Sequence, residues 1–351
     1  MNSILVTGGT GFIGSHTCLL LLEKGYTIYI IDSFKNSSPK SIERVSLILK
    51  NSNVDITNNL HLVEGDIRNK SDIEKLFQIS IDQNNPIEAV IHFAGLKAVY
   101  DSIVDPLSYW ENNVSGTINL LKVMEKYNCR NIVFSSSATV YKAKSSKLLS
   151  EDDLCSPVNP YGNTKLNIEK ILNDVYSGEQ TKWRISCLRY FNPVGAHPSG
   201  LIGENPLGQA NNLYPQITRV AIGKLKCIKI FGSDWPTIDG TGVRDYIHVM
   251  DLAEGHLLAL EYLMREKPQI IKINLGTGKG TSVLQLINTF EKVNNVKIPY
   301  IFANKREGDN ASVVAENKLA KILLKWSPSK SIEDICRDGY LWQRNNPNGY
   351  F

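Results

Sequence analysis

The chain has 351 residues, 42% hydrophobic and 21% charged, with 39 basic against 35 acidic side chains for a net charge of +4. That profile matches an ordinary globular protein large enough to bury its own core, and the weak positive balance excludes the dense basic stripe that nucleic-acid binding demands. No run approaches the ~18 apolar residues of a membrane span, and no basic targeting segment opens the chain, so a soluble cytoplasmic protein without a membrane partner is expected.

Six cysteines (Cys18, Cys129, Cys155, Cys187, Cys227 and Cys336) lie far apart without a CxxC pair. Reduced, mostly buried thiols and no metal site are predicted. In chain order, Ile4-Leu5-Val6 reads as a strand, followed by a glycine turn and a helix from about Gly14 to Lys24. Tyr26–Ile31, Leu60–Glu64, Ala89–Phe93, Asn131–Ser135 and Ile185–Arg189 are further apolar strands, each reached through a polar or helical stretch. Asn51–Asn59 is polar and reads as a surface loop. Continuous apolar runs alternating with helices imply βαβ crossovers, hence an α/β fold with a Rossmann-type doubly wound parallel sheet.

After about Asn192 the texture changes. Pro193, Pro198, Pro206 and Pro215, with Gly195, Gly200, Gly203 and Gly208, make a loop-rich stretch. Strands at Lys229–Gly232 and Ile271–Leu275 and helices at Asp251–Met264, Val283–Val293 and Lys318–Leu324 then form a smaller α/β part. The expected division is one domain over 1–191 and a second over 192–351, some segments of which return to pack on the first.

The turn after the first strand carries chemistry. Gly8, Gly11 and Gly14 give GxxGxxG between a strand and a helix, where glycines let backbone approach a pyrophosphate at the helix N-terminus. Alone, such a pattern can be plain chain reversal. Here Asp32 ends the second strand, placed to accept hydrogen bonds from ribose hydroxyls and to repel a 2′-phosphate, which favours NAD over NADP. Gly65-Asp66-Ile67 and Phe93-Ala94-Gly95-Leu96-Lys97 follow the third and fourth strands, at the sheet edge where ligands bind. Gly276-Thr277-Gly278-Lys279-Gly280 looks phosphate-binding but lacks the spacing of a P-loop, with Ile273 and Gly280 at the required positions, and reads as a turn.

Tyr161 and Lys165 form YxxxK at a helix start behind Pro157 and Pro160. Positions i and i+4 share a face, so the ammonium should pull the phenol pKa down from ~10 and suit it to take a proton from an alcohol as hydride leaves the same carbon. A hydroxyl partner is expected in Ser135-Ser136-Ser137. Spacing alone leaves open whether Ser137 serves or the cluster is only a turn.

These residues carry a resemblance. Over essentially its whole length the chain resembles the UDP-glucose 4-epimerases of the extended short-chain dehydrogenase/reductase family, through TGGTGFIGSH (7–16), EGDIR (64–68), IHFAGLKAV (91–99), NNVSGT (112–117), FSSSATVY (134–141), PYGNTK (160–165), RYFNPVGAHPSG (189–200), GTGVRDYIHVMDLAEGH (240–256) and REGD (306–309). The resemblance implies UDP-galactose and UDP-glucose as substrates, tightly bound NAD, a homodimer, and Ser137, Tyr161 and Lys165 as the catalytic triad. It implies cofactor contacts at Gly8, Gly11, Phe12, Ile13, Gly14, Asp32, Ser33, Asn36, Ser37, Asp66, Ile67, Phe93 to Lys97, Asn112 and Phe191, besides the triad. For the UDP-sugar it implies Asn192, Asn212, Leu213, Lys229, Ile230, Phe231, Arg244, Arg306 and Asp309, with Val313 against the hexose. Arginines suit a pyrophosphate because a guanidinium binds oxyanions bidentately. Lys142, where the family usually has Gly, and Glu316, where Asp is usual, depart from the pattern away from the catalytic positions.

The implied reaction oxidises C4 to a ketone, turns the sugar about its pyrophosphate tether and returns the hydride to the other face. A 4,6-dehydratase or decarboxylase is the nearest rival. The resemblance implies an Asp-Glu pair after the active hydroxyl in dehydratases, where this chain has Ala138-Thr139. A non-catalytic NAD-binding relative is the other rival, and retention of Tyr161 and Lys165 argues against it. Because Val313 lacks a ring's bulk, the sugar pocket is expected to admit an N-acetyl group, extending activity to UDP-N-acetylglucosamine and UDP-N-acetylgalactosamine.

Overall fold

The computed structural model describes residues 2–142, 148–205, 212–306 and 309–350, so Pro206, Gly208 and the Glu307-Gly308 pair lie outside the described residues. Among these, seven parallel strands build the main sheet: β1 Ser3–Thr7, β2 Thr27–Asp32, β3 Leu60–Glu64, β4 Ile87–His92, β5 Asn131–Ser137, β6 Arg184–Tyr190 and, from far downstream, Gln269–Leu275. Their order is Gln269–Leu275, β6, β5, β4, β1, β2, β3. The winding reverses between β1 and β4, which opens a crevice at their carboxyl ends.

Alternation along each strand splits the core in two. Ile4 and Val6 of β1, with Ile28 and Ile30 of β2, face one side, where Leu19 and Leu22 of the helix Phe12–Glu23 and Leu252 and Leu260 of the helix Val249–Arg265 cover them. Leu5, Tyr29 and Ile31 face the other side, under the helices Lys70–Asp82, Gly116–Lys126 and Pro160–Gly178. Burial on both faces is why these strands read as unbroken apolar runs.

Two segments from beyond Asn192 return to complete this large layer. Gln269–Leu275 pairs with β6 along its whole length, and the helix Val249–Arg265 packs on the helix Phe12–Glu23. The reason is apolar area: Ile273, Leu275, Leu252, Ala253 and Leu260 are fully buried only on this side of the sheet.

A third core unites the smaller part, with Tyr214 and Ile217 of the helix Leu213–Ala221, Ile228 and Ile230, Leu286 and Phe290, and Ile335 and Cys336. Short strand pairs surround it: Ile228–Phe231 with Tyr300–Ala303, Asn192–Val194 with Tyr246–His248, and Val243–Arg244 between Thr281–Ser282 and Ser312–Val313. The helices Lys40–Asn51 and Ile332–Asn345 are additions to the sequence reading. No helix among the described residues is long and apolar enough to cross a membrane, and none of their His, Cys, Asp or Glu groups could hold a metal ion.

Candidate active site

The crevice between β1 and β4 is a cleft whose floor is the glycine turn. Gly8 has φ 70°, and a Cβ there would stand 2.7 Å from the Ala94 nitrogen. A Cβ on Gly14 would strike the Gly8 carbonyl at 2.3 Å, whereas one on Gly11 would meet only that carbonyl, at 3.2 Å. Gly8 and Gly14 therefore close-pack the turn, and Gly11 leaves room for a ligand backbone.

Asp32 ends β2 with its carboxylate accepting from the Thr10 and Phe34 amides, both at 3.1 Å, and from the Ser37 hydroxyl at 2.8 Å. Phe34 has φ 53°, strained for a residue with a side chain and held by that hydrogen bond. Arg68 grips the Asp66 carboxylate at 2.7 Å and holds its pKa below the usual carboxylate range. Gly8, Gly11, Phe12, Ile13, Gly14, Asp32, Ser33, Asn36, Ser37, Asp66, Ile67, Asn112 and Phe93 through Lys97 all line the cleft, as do Tyr161 and Lys165. Bare glycine backbone at one end and an anchored carboxylate at the other fit a dinucleotide.

Phe191 does not line it. Its ring packs with Val140, Tyr141, Leu149 and Ala315, and its exposure is 7%. Ser137 is outside the lining, where its hydroxyl receives the Thr139 amide and hydroxyl and acts to lower the Tyr161 pKa. The sequence reading missed Ile31, Lys35 and Tyr190, which also line the cleft. Tyr190 ends β6, so the strand-terminus rule that selected Phe93 would have found it.

The helix Pro160–Gly178 starts where it does because the Asn159 side chain accepts from the Gly162 amide at 2.8 Å and Pro160 occupies its first turn. This places Tyr161 and Lys165 on one face, the Lys165 Nζ 5.8 Å from the Tyr161 ring centre. Lys165 donates to the Ser135 carbonyl at 2.8 Å. Burial pushes the Lys165 pKa down to about 8. The expectation of a depressed phenol pKa is not met: burial pushes Tyr161 up to about 12, against the lowering effect of the Ser137 hydrogen bond. Desolvation of the phenolate outweighs an ammonium that is committed to a carbonyl.

In the smaller part, Arg244 is half-buried and donates to the Val243 and Asn310 carbonyls, both at 2.9 Å. It is paired across strands with Val313. No ion pair among the described residues engages Arg244. Arg306 lies 4.3 Å over the Phe231 ring and donates to Asp309 at 3.1 Å. Phe231, Arg244, Arg306, Asp309 and Val313 thus form one neighbourhood with two guanidinium groups. Asn192 begins the strand after Tyr190 and Phe191, and Asn212 precedes the helix that Leu213 opens. Lys229 is exposed, while the Ile230 side chain is 1% exposed in the third core, leaving only its backbone for a ligand.

The glycine loop at 276–280 holds an internal carboxylate. The Thr277 amide and hydroxyl, at 2.8 and 2.6 Å, and the Gly278 amide, at 3.0 Å, donate to Asp245, which is also met by the Ala315 amide at 3.2 Å. Its resemblance to a phosphate loop has a physical basis, since its donors are spent on a buried anion next to Arg244.

Residues 5–339 match the family model described as GDP-mannose 4,6 dehydratase. The chain is 49% identical over 348 residues to UDP-glucose 4-epimerase 2 of Arabidopsis thaliana, covering 99% of this chain and 97% of that one. It is 48% identical over 348 residues to UDP-glucose 4-epimerase of Bacillus subtilis (strain 168), covering 99% and 98%. Among solved structures, UDP-glucose 4-epimerase from Bifidobacterium longum, in complex with NAD+ and UDP, superposes with a TM-score of 0.91 at 44% identity, covering 99% and 100%.

Proposed function

The chain belongs to the UDP-glucose 4-epimerase family of extended short-chain dehydrogenase/reductases, and from that premise we infer that it interconverts UDP-galactose and UDP-glucose through a 4-keto sugar with NAD as its cofactor. The observation that carries the reading is that Tyr161 and Lys165, with Ser137 on the phenol, face into the same cleft as the glycine turn and Asp32. When bound, NAD supplies the group that accepts a hydride from C4 and gives it back. The glycine turn, Asp32, Asp66 and the segment from Phe93 to Lys97 would hold it, with residues 1–191 as the cofactor domain and 192–351 as the UDP-sugar domain, from which Val249–Arg265 and Gln269–Leu275 return to pack on the first.

Tyr161 takes the proton of the O4 hydroxyl, and Ser137 hydrogen-bonds the same oxygen and steadies its alkoxide character. Lys165 supplies the positive charge beside the phenol. Arg244 and Arg306 clamp the pyrophosphate, with Asn192, Asn212, Leu213, Lys229, Phe231 and Asp309 around it, so the sugar can turn without being lost. Dehydration would need an acid and a base beside the serine. Ala138 and Thr139 stand there, and Thr139 spends its amide and hydroxyl on Ser137 at 3.2 and 3.0 Å.

We also propose a homodimer. Tyr100, Ile103, Val104 and Leu107 are 61–78% exposed on two short helices beside the catalytic helix, an apolar face suited to a second copy. The test of the activity is incubation of the purified protein with UDP-galactose and no added NAD. UDP-glucose is expected, whereas no conversion, or a 4-keto-6-deoxy product, would sink the reading.

A further inference from the structure

Lys165 and Tyr161 are one and two helical turns from a third buried group on the same face, Glu169. Glu169 is 1% exposed, and its carboxylate receives the Arg189 Nε and Nη2 at 2.9 and 2.6 Å and the Ser136 hydroxyl at 2.6 Å. Arg189, on β6, also donates to the Tyr141 hydroxyl at 3.0 Å and the Glu151 carbonyl at 3.1 Å. The Tyr141 hydroxyl in turn donates to Asn274 of the seventh strand at 2.6 Å. None of these groups lines the cleft, and the reaction uses none of them.

Ser136 stands between the two anchor points of the centre. The carbonyl of Ser135 receives Lys165 at 2.8 Å, and the hydroxyl of Ser137 acts on the Tyr161 phenol. A grip on Ser136 therefore sets both. A buried ion pair adds little stability relative to apolar residues of the same volume, so stability alone gives no reason for this one.

We propose that the Glu169–Arg189 pair is a positioning device: by holding the end of β5 against the catalytic helix, it fixes the Ser135 carbonyl and the Ser137 hydroxyl, and through them Lys165 and Tyr161. The inference rests on the epimerase reading. Neither residue touches substrate; both act through Ser136.

Single removal of one partner strands a buried charge and can unfold the protein. The test is therefore the double variant Glu169→Gln/Arg189→Met, assayed as the NAD-containing enzyme with UDP-galactose. Expected are retained NAD, a KM within about threefold of the unmodified value and a kcat lowered by at least about tenfold, the signature of lost alignment rather than lost binding. The pH–rate profile should also move to higher pH, as for Lys165→Met, because an ammonium without its carbonyl supports the phenolate less. Titration of Lys165 by NMR in 13C-lysine-labelled protein should show its pKa falling for the same reason. Unchanged kcat, profile and titration would overturn the proposal, as would parallel loss of NAD, KM and kcat. Should the double variant not fold, Ser136→Ala cuts the grip and leaves the ion pair intact. It should give a smaller loss of kcat with KM spared, and no loss would overturn the proposal. An unmodified protein without epimerase activity would sink the functional reading, while the Lys165 titration would still decide the positioning role.

Discussion

At the scale of single residues, the proposed chemistry turns on a phenol that must work against its own burial. With its pKa pushed up to about 12, Tyr161 is protonated at neutral pH, and its phenolate fraction grows about tenfold per pH unit below that value. Turnover should therefore rise with pH across the neutral range. Tyr161→Phe keeps the ring and removes the base, so kcat should drop by about 10²–10⁴-fold. Lys165→Met removes the ammonium 5.8 Å from that ring, which raises the phenol further and moves the pH–rate profile to higher pH. A near-normal rate with an unmoved profile would contradict the pair. Val313 bears on substrate breadth. It is half-buried opposite Arg244 and packs near Phe191 and Ala315. UDP-N-acetylgalactosamine should be a substrate, and Val313→Tyr should suppress that activity while sparing UDP-galactose. No turnover of the N-acetyl sugar by the unmodified protein at high enzyme concentration would show that Val313 does not set the pocket's width.

At the scale of elements, the strand–turn–helix at the start of the chain leaves its glycines no room to change. A methyl on Gly14 meets backbone at 2.3 and 2.8 Å that cannot yield, while one on Gly178, at the end of the catalytic helix, meets nothing within 4 Å. Gly14→Ala should leave gel filtration without nicotinamide in its denatured extract, and Gly178→Ala should retain it. Equal retention by both would show that the turn does not hold the cofactor. This element was legible in the sequence because its signals are local: glycines, an apolar strand and an acidic residue at a fixed distance. The same holds for Tyr161 and Lys165, one turn apart on one helix. What stayed hidden depends on long-range pairing. Gln269–Leu275 reads as any apolar strand, and only its register with β6 takes it into the main sheet. The sign of the Tyr161 shift is not legible in the sequence because spacing shows the lysine but not the desolvation. Glu169, Ser136 and Arg189 sit on three different elements, so no spacing rule joins them.

At the scale of the whole molecule, stability should depend on three histidines buried in neutral form. Burial lowers His16 and His92 to about 3 and His256 to about 4. His92 bridges Thr7 and Thr117 at 2.6 and 2.9 Å, and His256 meets Ser135 at 3.1 Å, so each ties a strand of the sheet to its surroundings. Their folded pKa values lie below the unfolded ~6.5, so the unfolded chain binds more protons between those limits and stability falls as pH falls. The loss should begin near pH 6.5 and approach about 4 kcal/mol per pH unit near pH 5, when all three contribute about 1.4 kcal/mol each. Urea midpoints from pH 8 to pH 4.5 check this, and a flat profile would contradict it. In the proposed reaction one hydrogen leaves C4 and returns to its other face without leaving the protein. The direct measurement is conversion of UDP-galactose deuterated at C4, without added NAD, followed by NMR of the UDP-glucose formed. Deuterium should be retained in full at C4 of the product in ordinary water, whereas label lost to solvent would show that the hydrogen does not return from the protein.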